Sequence, residues 1–167
     1  MRALWISFIL GLSISVTNSA FAASPATQSW NLEQLPILQQ AVAGTSFELH
    51  QLENALLIKV FAEDTFKSDR PELLLPSALS KVGKFARHIA GKQQLSVLVL
   101  GMSAEQSSPV KRQEISQARA KSLASIFRLS KLPAVRMQAL GVGASPQTVP
   151  EVAARILSVP AQELPLF

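Results

Sequence analysis

Leu95 to Leu129 reads LSVLVLGMSAEQSSPVKRQEISQARAKSLASIFRL, and its two halves follow different periods. Leu95–Leu100 is apolar at every position but Ser96, which predicts a strand buried on both faces. Gly101 to Pro109 predicts a loop. Lys111–Leu129 predicts a helix. On a wheel of 100° per residue with Ile115 at zero, Ile126 falls at about 20°, Leu123 at about 80°, Phe127 at about 120° and Ala120 at about 140°. That arc faces the core. Arg119 falls inside it, at about 40°, while Glu114, Lys121 and Arg128 lie on the far side. A guanidinium on a buried arc is rarely left without partners, because desolvating it costs several kcal/mol. Two readings of Arg119 stand side by side. It snorkels past the sheet edge or pairs with an internal carboxylate. Otherwise it lines a shallow pocket that takes an anionic ligand.

Working towards the N-terminus, Pro76 suits the first position of a helix, where its missing N–H costs nothing. Leu79, Val82, Phe85, Ala86 and Ile89 make one apolar face, and Gly91 is a stop. Glu63–Leu75 is polar, carries Pro71 and predicts a loop. Leu56–Phe61 is a strongly apolar run. Phe47 and Leu49 alternate with Glu48 and His50, and Asn54 is a turn residue, so the two runs predict a hairpin. Leu32, Leu35, Leu38 and Val42 keep near-helical spacing, but Pro36 predicts a break, and Trp30 is expected to pack this segment onto the domain. Towards the C-terminus, Pro133 closes the long helix. Val135–Leu140 predicts a strand, Gly141–Pro146 a turn and Arg155–Val159 a last short strand. The order strand, helix, strand, helix, strand, strand predicts an α/β two-layer sandwich. Its helices lie on one face of a mixed four-stranded sheet, with an N-terminal extension before it.

Composition bounds the function. The chain has 167 residues, 48% hydrophobic and 16% charged, which suits one folded domain and excludes a disordered chain. It has no cysteine, and so no disulfide, thiolate metal site, cysteine nucleophile or lipid-modified cysteine. Met1–Ala22 reads as a secretory signal peptide, with Arg2 in the n-region, Leu4–Val16 as the apolar stretch and Ala20-Phe21-Ala22 before the cut. Residues 23–54 would then be linker and extension, and 55–167 the domain. Of 16 basic and 11 acidic residues, losing Arg2 leaves 15 and 11, a net charge of +4. No other stretch is long enough to span a bilayer. The expected product is exported to the periplasm and not lipidated.

Catalytic and cofactor motifs do not assemble. His50 and His88 are far apart and lack metal-ligand spacing. There is no GxSxG, HExxH or phosphate-loop pattern, and Gly141-x-Gly143 lacks the rest of a dinucleotide fingerprint. Lys111–Arg136 holds seven basic residues against Glu114. The run lacks the interleaved aromatics of a single-strand-binding surface, and reads as a solvated face. Neither cofactor, metal nor nucleic acid is expected, and nothing brings nucleophile, base and orienting group together.

The ordered motifs from Leu57 to Val159 resemble the OmpA C-terminal-like domain, also found in MotB and peptidoglycan-associated lipoprotein. LIKVFAEDTFKSDRPELLLPSAL (Leu57–Leu79) resembles its first strand, Phe-containing loop and Pro helix start, with Asp64, Phe66 and Pro76 in place. Gly101-Met102-Ser103-Ala104 stands where the family writes Gly-His/Tyr-Thr-Asp. Ile115-Ser116-Gln117-Ala118-Arg119-Ala120 resembles its Leu-Ser-x-x-Arg-Ala helix, Gly141-Val142-Gly143 its Gly-x-Gly-Glu turn, and Arg155-Ile156 its last strand. The resemblance implies a non-enzymatic subunit of a cell-envelope assembly, such as a secretion or motility apparatus, placed at the peptidoglycan with weak or altered binding of its stem peptide through Arg119. In such domains an Asp and an Arg clamp the zwitterionic end of diaminopimelate. Arg119 matches the arginine. Ala104 occupies the aspartate position, and Ala144 and Ala154 replace further charged residues. The candidate site is therefore Arg119, Ser103, Ala104, Glu105, Ile115 and Arg155, with Glu105 as a substitute carboxylate. The alternative is a protein–protein module that keeps the fold without the glycan. Its partners would be envelope-complex proteins, with Trp30–Leu52 as docking arm.

Overall fold

The computed structural model describes residues 25–53, 55–104, 108–143 and 151–160. The predicted signal peptide, the turn residue Asn54, the candidate Glu105, the side chain of Trp30 and the turn beyond Gly143 lie outside them.

The elements run α1 (Pro25–Val42), β1 (Glu48–Gln51), β2 (Leu56–Phe61), α2 (Ala62–Thr65), α3 (Pro76–Ala90), β3 (Leu95–Gly101), α4 (Pro109–Leu129), β4 (Met137–Gly141) and β5 (Val152–Pro160). The strands form one mixed sheet in the order β1-β2-β5-β3-β4. Only β3 and β4 are parallel. The sheet has five strands and not four, because β1, expected in the extension, pairs along β2 from Glu48↔Lys59 to Gln51↔Leu56. β5, expected to be short, runs nine residues and sits in the middle, antiparallel to both β2 and β3.

Strand alternation sorts the side chains. Leu56, Ile58 and Val60 of β2 share the core face with Ala154 and Ile156 of β5 and with Val97 and Val99 of β3. α3 covers that face with Ala78, Val82, Phe85, Ala86 and Ile89, and α4 with Ala120, Leu123, Ala124, Ile126 and Phe127. Phe85 and Phe127 meet edge to face at 5.3 Å where the helices cross. α1 adds Leu38, fully buried, and Gln34, which bonds His88 of α3 at 3.1 Å.

Several expectations change. β3 is not buried on both faces: Leu98 and Leu100 point away from the helices and are half-buried, as are Leu57 and Leu157 beside Leu98. Leu79 is 47% exposed, and Ala78 takes its place in the α3 interface. α1 continues through Pro36, which faces solvent, where water can reach the carbonyl its ring leaves without an N–H. Residues 134–136 form a 3-10 turn, so Val135, expected in a strand, is 87% exposed and β4 starts at Met137. The segment expected as a loop from Glu63 begins with α2 and then closes on itself. Phe66 bridges Leu74, Lys67 N donates to Leu73 O at 2.8 Å, and Leu75 N donates to Thr65 O at 2.8 Å.

Two glycines let α4 lie directly on the strand ends. A Cβ on Gly101 would stand 1.9 Å from the Ser116 carbonyl oxygen, and one on Gly141 2.3 Å from the Gln117 nitrogen. In the space they leave, Gln117 Oε1 accepts from Gly141 N at 2.7 Å and Ser116 Oγ from Gly143 N at 2.9 Å.

Candidate functional site

α4 starts cleanly. Ser108 caps it by accepting from Lys111 N at 3.2 Å, and Pro109 opens the first turn. Its register then carries Arg119 into the core face, where it is 3% exposed. The guanidinium reaches the loop between α2 and α3. Arg119 Nε donates to Pro71 O at 2.8 Å, and Nη1 donates to Met102 O, just beyond β3, also at 2.8 Å. Its carbon lies 5.2 Å from the centre of the Phe66 ring. Ser122, one turn further along, donates to Glu72 O at 2.9 Å, so α4 holds the same loop twice. Two charge-assisted hydrogen bonds and a ring face offset much of the cost of burying the cation.

The guanidinium opens on a cleft of about 560 Å³. Ala62, Phe66, Pro71 and Leu75 give it apolar walls, and Glu63, Lys67 and Ser68 give it polar ones. The cleft therefore carries charges of both signs around a deep arginine. A neighbouring cavity of about 470 Å³, beyond Ala62 and Glu63, is acidic: Glu48, Asp64 and Glu151 line it with Glu63. Lys59 donates to Glu48 at 3.0 Å, and this bond, with His50 nearby, holds the Glu48 carboxyl below its ordinary range. No three carboxylate or histidine residues gather to hold a metal ion among the described residues.

The sequence candidates divide. Arg119 lies at the cleft. Ser103, next in sequence to the Met102 that Arg119 bonds, is fully buried, its N–H donating to Gly143 O at 3.1 Å, and Ala104 is half-buried on the same connection. Neither is among the residues lining the cleft. Ile115 is 8% exposed and packs one turn before Arg119. Arg155 does not join them. It lies between Ala154 and Ile156, both in the core, so its side chain projects from the opposite sheet face, across from Lys59. Sequence reasoning missed Glu63 and Lys67. Their signal was faint: both fall in a stretch whose periodicity marks only a loop, and α2 with its closed loop brings them back over Arg119.

No family model matches the chain, and no curated protein matches it. Solved structures do match. A putative MotB-like protein from Desulfovibrio vulgaris aligns with a TM-score of 0.64 at 14% identity, over 80% of this chain and 92% of that one. The periplasmic domain of MotB aligns at 0.61 and 13%, over 70% and 69%. The cell wall anchor of the T6SS from Pseudomonas aeruginosa aligns at 0.54 and 14%, over 80% and 96%. At such identities the likeness establishes the fold, and the fold is OmpA-like.

Proposed function

We propose, from this OmpA-like fold, that the protein is a non-enzymatic periplasmic subunit of a cell-envelope assembly, a secretion or motility apparatus. It would be set at the peptidoglycan by the Arg119 cleft. The observation that carries the reading is an arginine only 3% exposed that still lines a cleft with apolar walls and charges of both signs. A carboxylate of a stem peptide meets Arg119 there. The motif aspartate is replaced by Ala104, so binding is weaker than a complete clamp would give. One lost charged partner costs on the order of 1.5–3 kcal/mol, a tenfold to hundredfold loss in affinity. Glu63 on the cleft wall offers a carboxylate for the ligand's ammonium from a different element. The structural neighbours named as a cell wall anchor and as MotB support the reading by analogy.

The second reading, a protein–protein module that has retired the glycan site, is favoured by one observation. Arg119 is already engaged by Pro71, Met102 and Phe66, as a purely structural arginine would be.

Co-sedimentation with diaminopimelate-type sacculi at physiological salt separates the two. The first reading expects the protein to pellet, Arg119→Ala to stay in solution and Ala104→Asp to pellet more strongly. Pelleting by Ala104→Asp alone would establish the second. If none pellets, the likeness is of fold alone.

A further inference from the structure

Acidic and basic residues are segregated in this chain. No acid occurs from Leu73 to Ala104 or from Ile115 to Pro150. Those stretches supply α3 and α4 from Ile115 onward, in the layer that covers the sheet. Lys84 and Arg87 on α3, and Lys121, Arg128 and Lys131 on and after α4, are exposed. None of the five takes part in an ion pair among the described residues. Between the helices runs a cleft of about 420 Å³. Its floor is Gly83, without a side chain, and Ile126; Leu79, Leu129, Arg87 and Lys131 edge it.

The edges decide what fits. Leu129 is 83% exposed and Leu79 47%, so the apolar groups stand proud of the surface beside cations. A groove that receives a partner helix recesses its leucines to take the helix's anchors. Protruding leucines ringed by Lys and Arg suit a headgroup layer, where the aliphatic tips enter and the cations meet phosphate. Lys131 adds a separate observation. Its φ is +68°, a conformation that favours glycine, so a cation is held at the cleft mouth against the local backbone preference.

We propose that the α3–α4 face is a peripheral contact for an anionic phospholipid surface. Arg87 and Lys131 sit on headgroup phosphates, and Leu79 and Leu129 sink to the glycerol level. The face shares no residue with the Arg119 cleft, so it stands or falls independently of peptidoglycan binding.

The test is flotation of protein recovered from the periplasm of expressing cells, with vesicles of phosphatidylcholine alone or mixed with phosphatidylglycerol. Flotation is expected only with the anionic vesicles and is lost in high salt. Arg87→Glu with Lys131→Glu should weaken partition roughly 30-fold or more. Lys131→Gly, which suits the left-handed backbone and so folds at least as well, should weaken it about fivefold. Leu129→Ser should weaken it while leaving the salt dependence unchanged. Four results overturn the proposal: equal flotation with neutral vesicles, no flotation at all, charge variants that float like the parent, or release by millimolar inorganic phosphate. No flotation together with binding to polyglutamate would assign the face to an acidic protein instead.

Discussion

β3 is held at both ends by an arginine that donates to backbone carbonyls, and the two ends differ in what surrounds the arginine. At the start of the strand, Arg136 Nε donates to Leu95 O at 2.6 Å and Nη2 donates to Lys92 O. At the far end Arg119 donates to Met102 O and, across the loop, to Pro71 O. Arg136 stays half-exposed on a short connection. Arg119 is buried under α4, stacked on Phe66, with a cleft in front of it. Bonding to carbonyls is thus common to both arginines. The cleft, the ring and the mixed charges of Glu63 and Lys67 are what set the second end apart.

That comparison can be broken by measurement. The largest effect belongs to the packing that puts Arg119 in place. Gly101→Ala forces a methyl onto the Ser116 carbonyl and should cost about 3–5 kcal/mol or prevent folding, read by chemical denaturation. A mild loss would mean that α4 is free to lift off the strand end. Next, Arg119→Ala leaves two carbonyls without their donor and Phe66 without its cation. About 2–4 kcal/mol of stability should go, together with sacculus binding. Arg136→Ala should cost only about 1–2 kcal/mol and leave sacculus binding untouched. Equal losses of binding from both arginines would erase the distinction between the ends. Glu63→Gln sharpens it further: stability should stay within about 0.5 kcal/mol, with sacculus affinity down by roughly tenfold.

The smallest effect lies away from both ends. His88, bonded to Gln34, has its pKa lowered from 6.5, first by burial and then by Lys92. The folded protein therefore holds fewer protons at this site than the unfolded chain. Its stability is complete above about pH 6.5 and declines as pH falls below that. The group is partly solvated, so the decline should stay under about 1 kcal/mol. Thermal melts from pH 7.5 to 5.5 should show it, and His88→Gln should flatten it.

Periodicity was a good guide where burial is one-sided. The α4 wheel put Arg119 on the core arc together with Ile115, Leu123, Ile126 and Phe127, and all five are buried. It failed where tertiary contacts decide. The alternation of Phe47 and Leu49 with Glu48 and His50 did predict the hairpin that β1 and β2 form, but the count of four strands left β1 outside the sheet. Pro36 signals a break by local rules, yet the buried Leu38 on the same helix holds the turns together. Of the site, the sequence showed the arginine because its charge conflicts with its arc. Glu63 and Lys67 conflict with nothing locally, so only the closure of the loop over α4 revealed them.

The position of β5 bears on how the molecule is made. Among the described residues, the middle strand of the sheet is the one latest in sequence. Until residues 152–160 are available, β2 and β3 have no common partner, and Leu56 must wait for Ser158, some hundred residues downstream. Such long-range closure is slow, and it leaves strand edges open in the meantime. A nascent chain that cannot lock its sheet early stays threadable. The same topology that completes the core therefore makes closure of the sheet wait for a strand far from β2 in sequence.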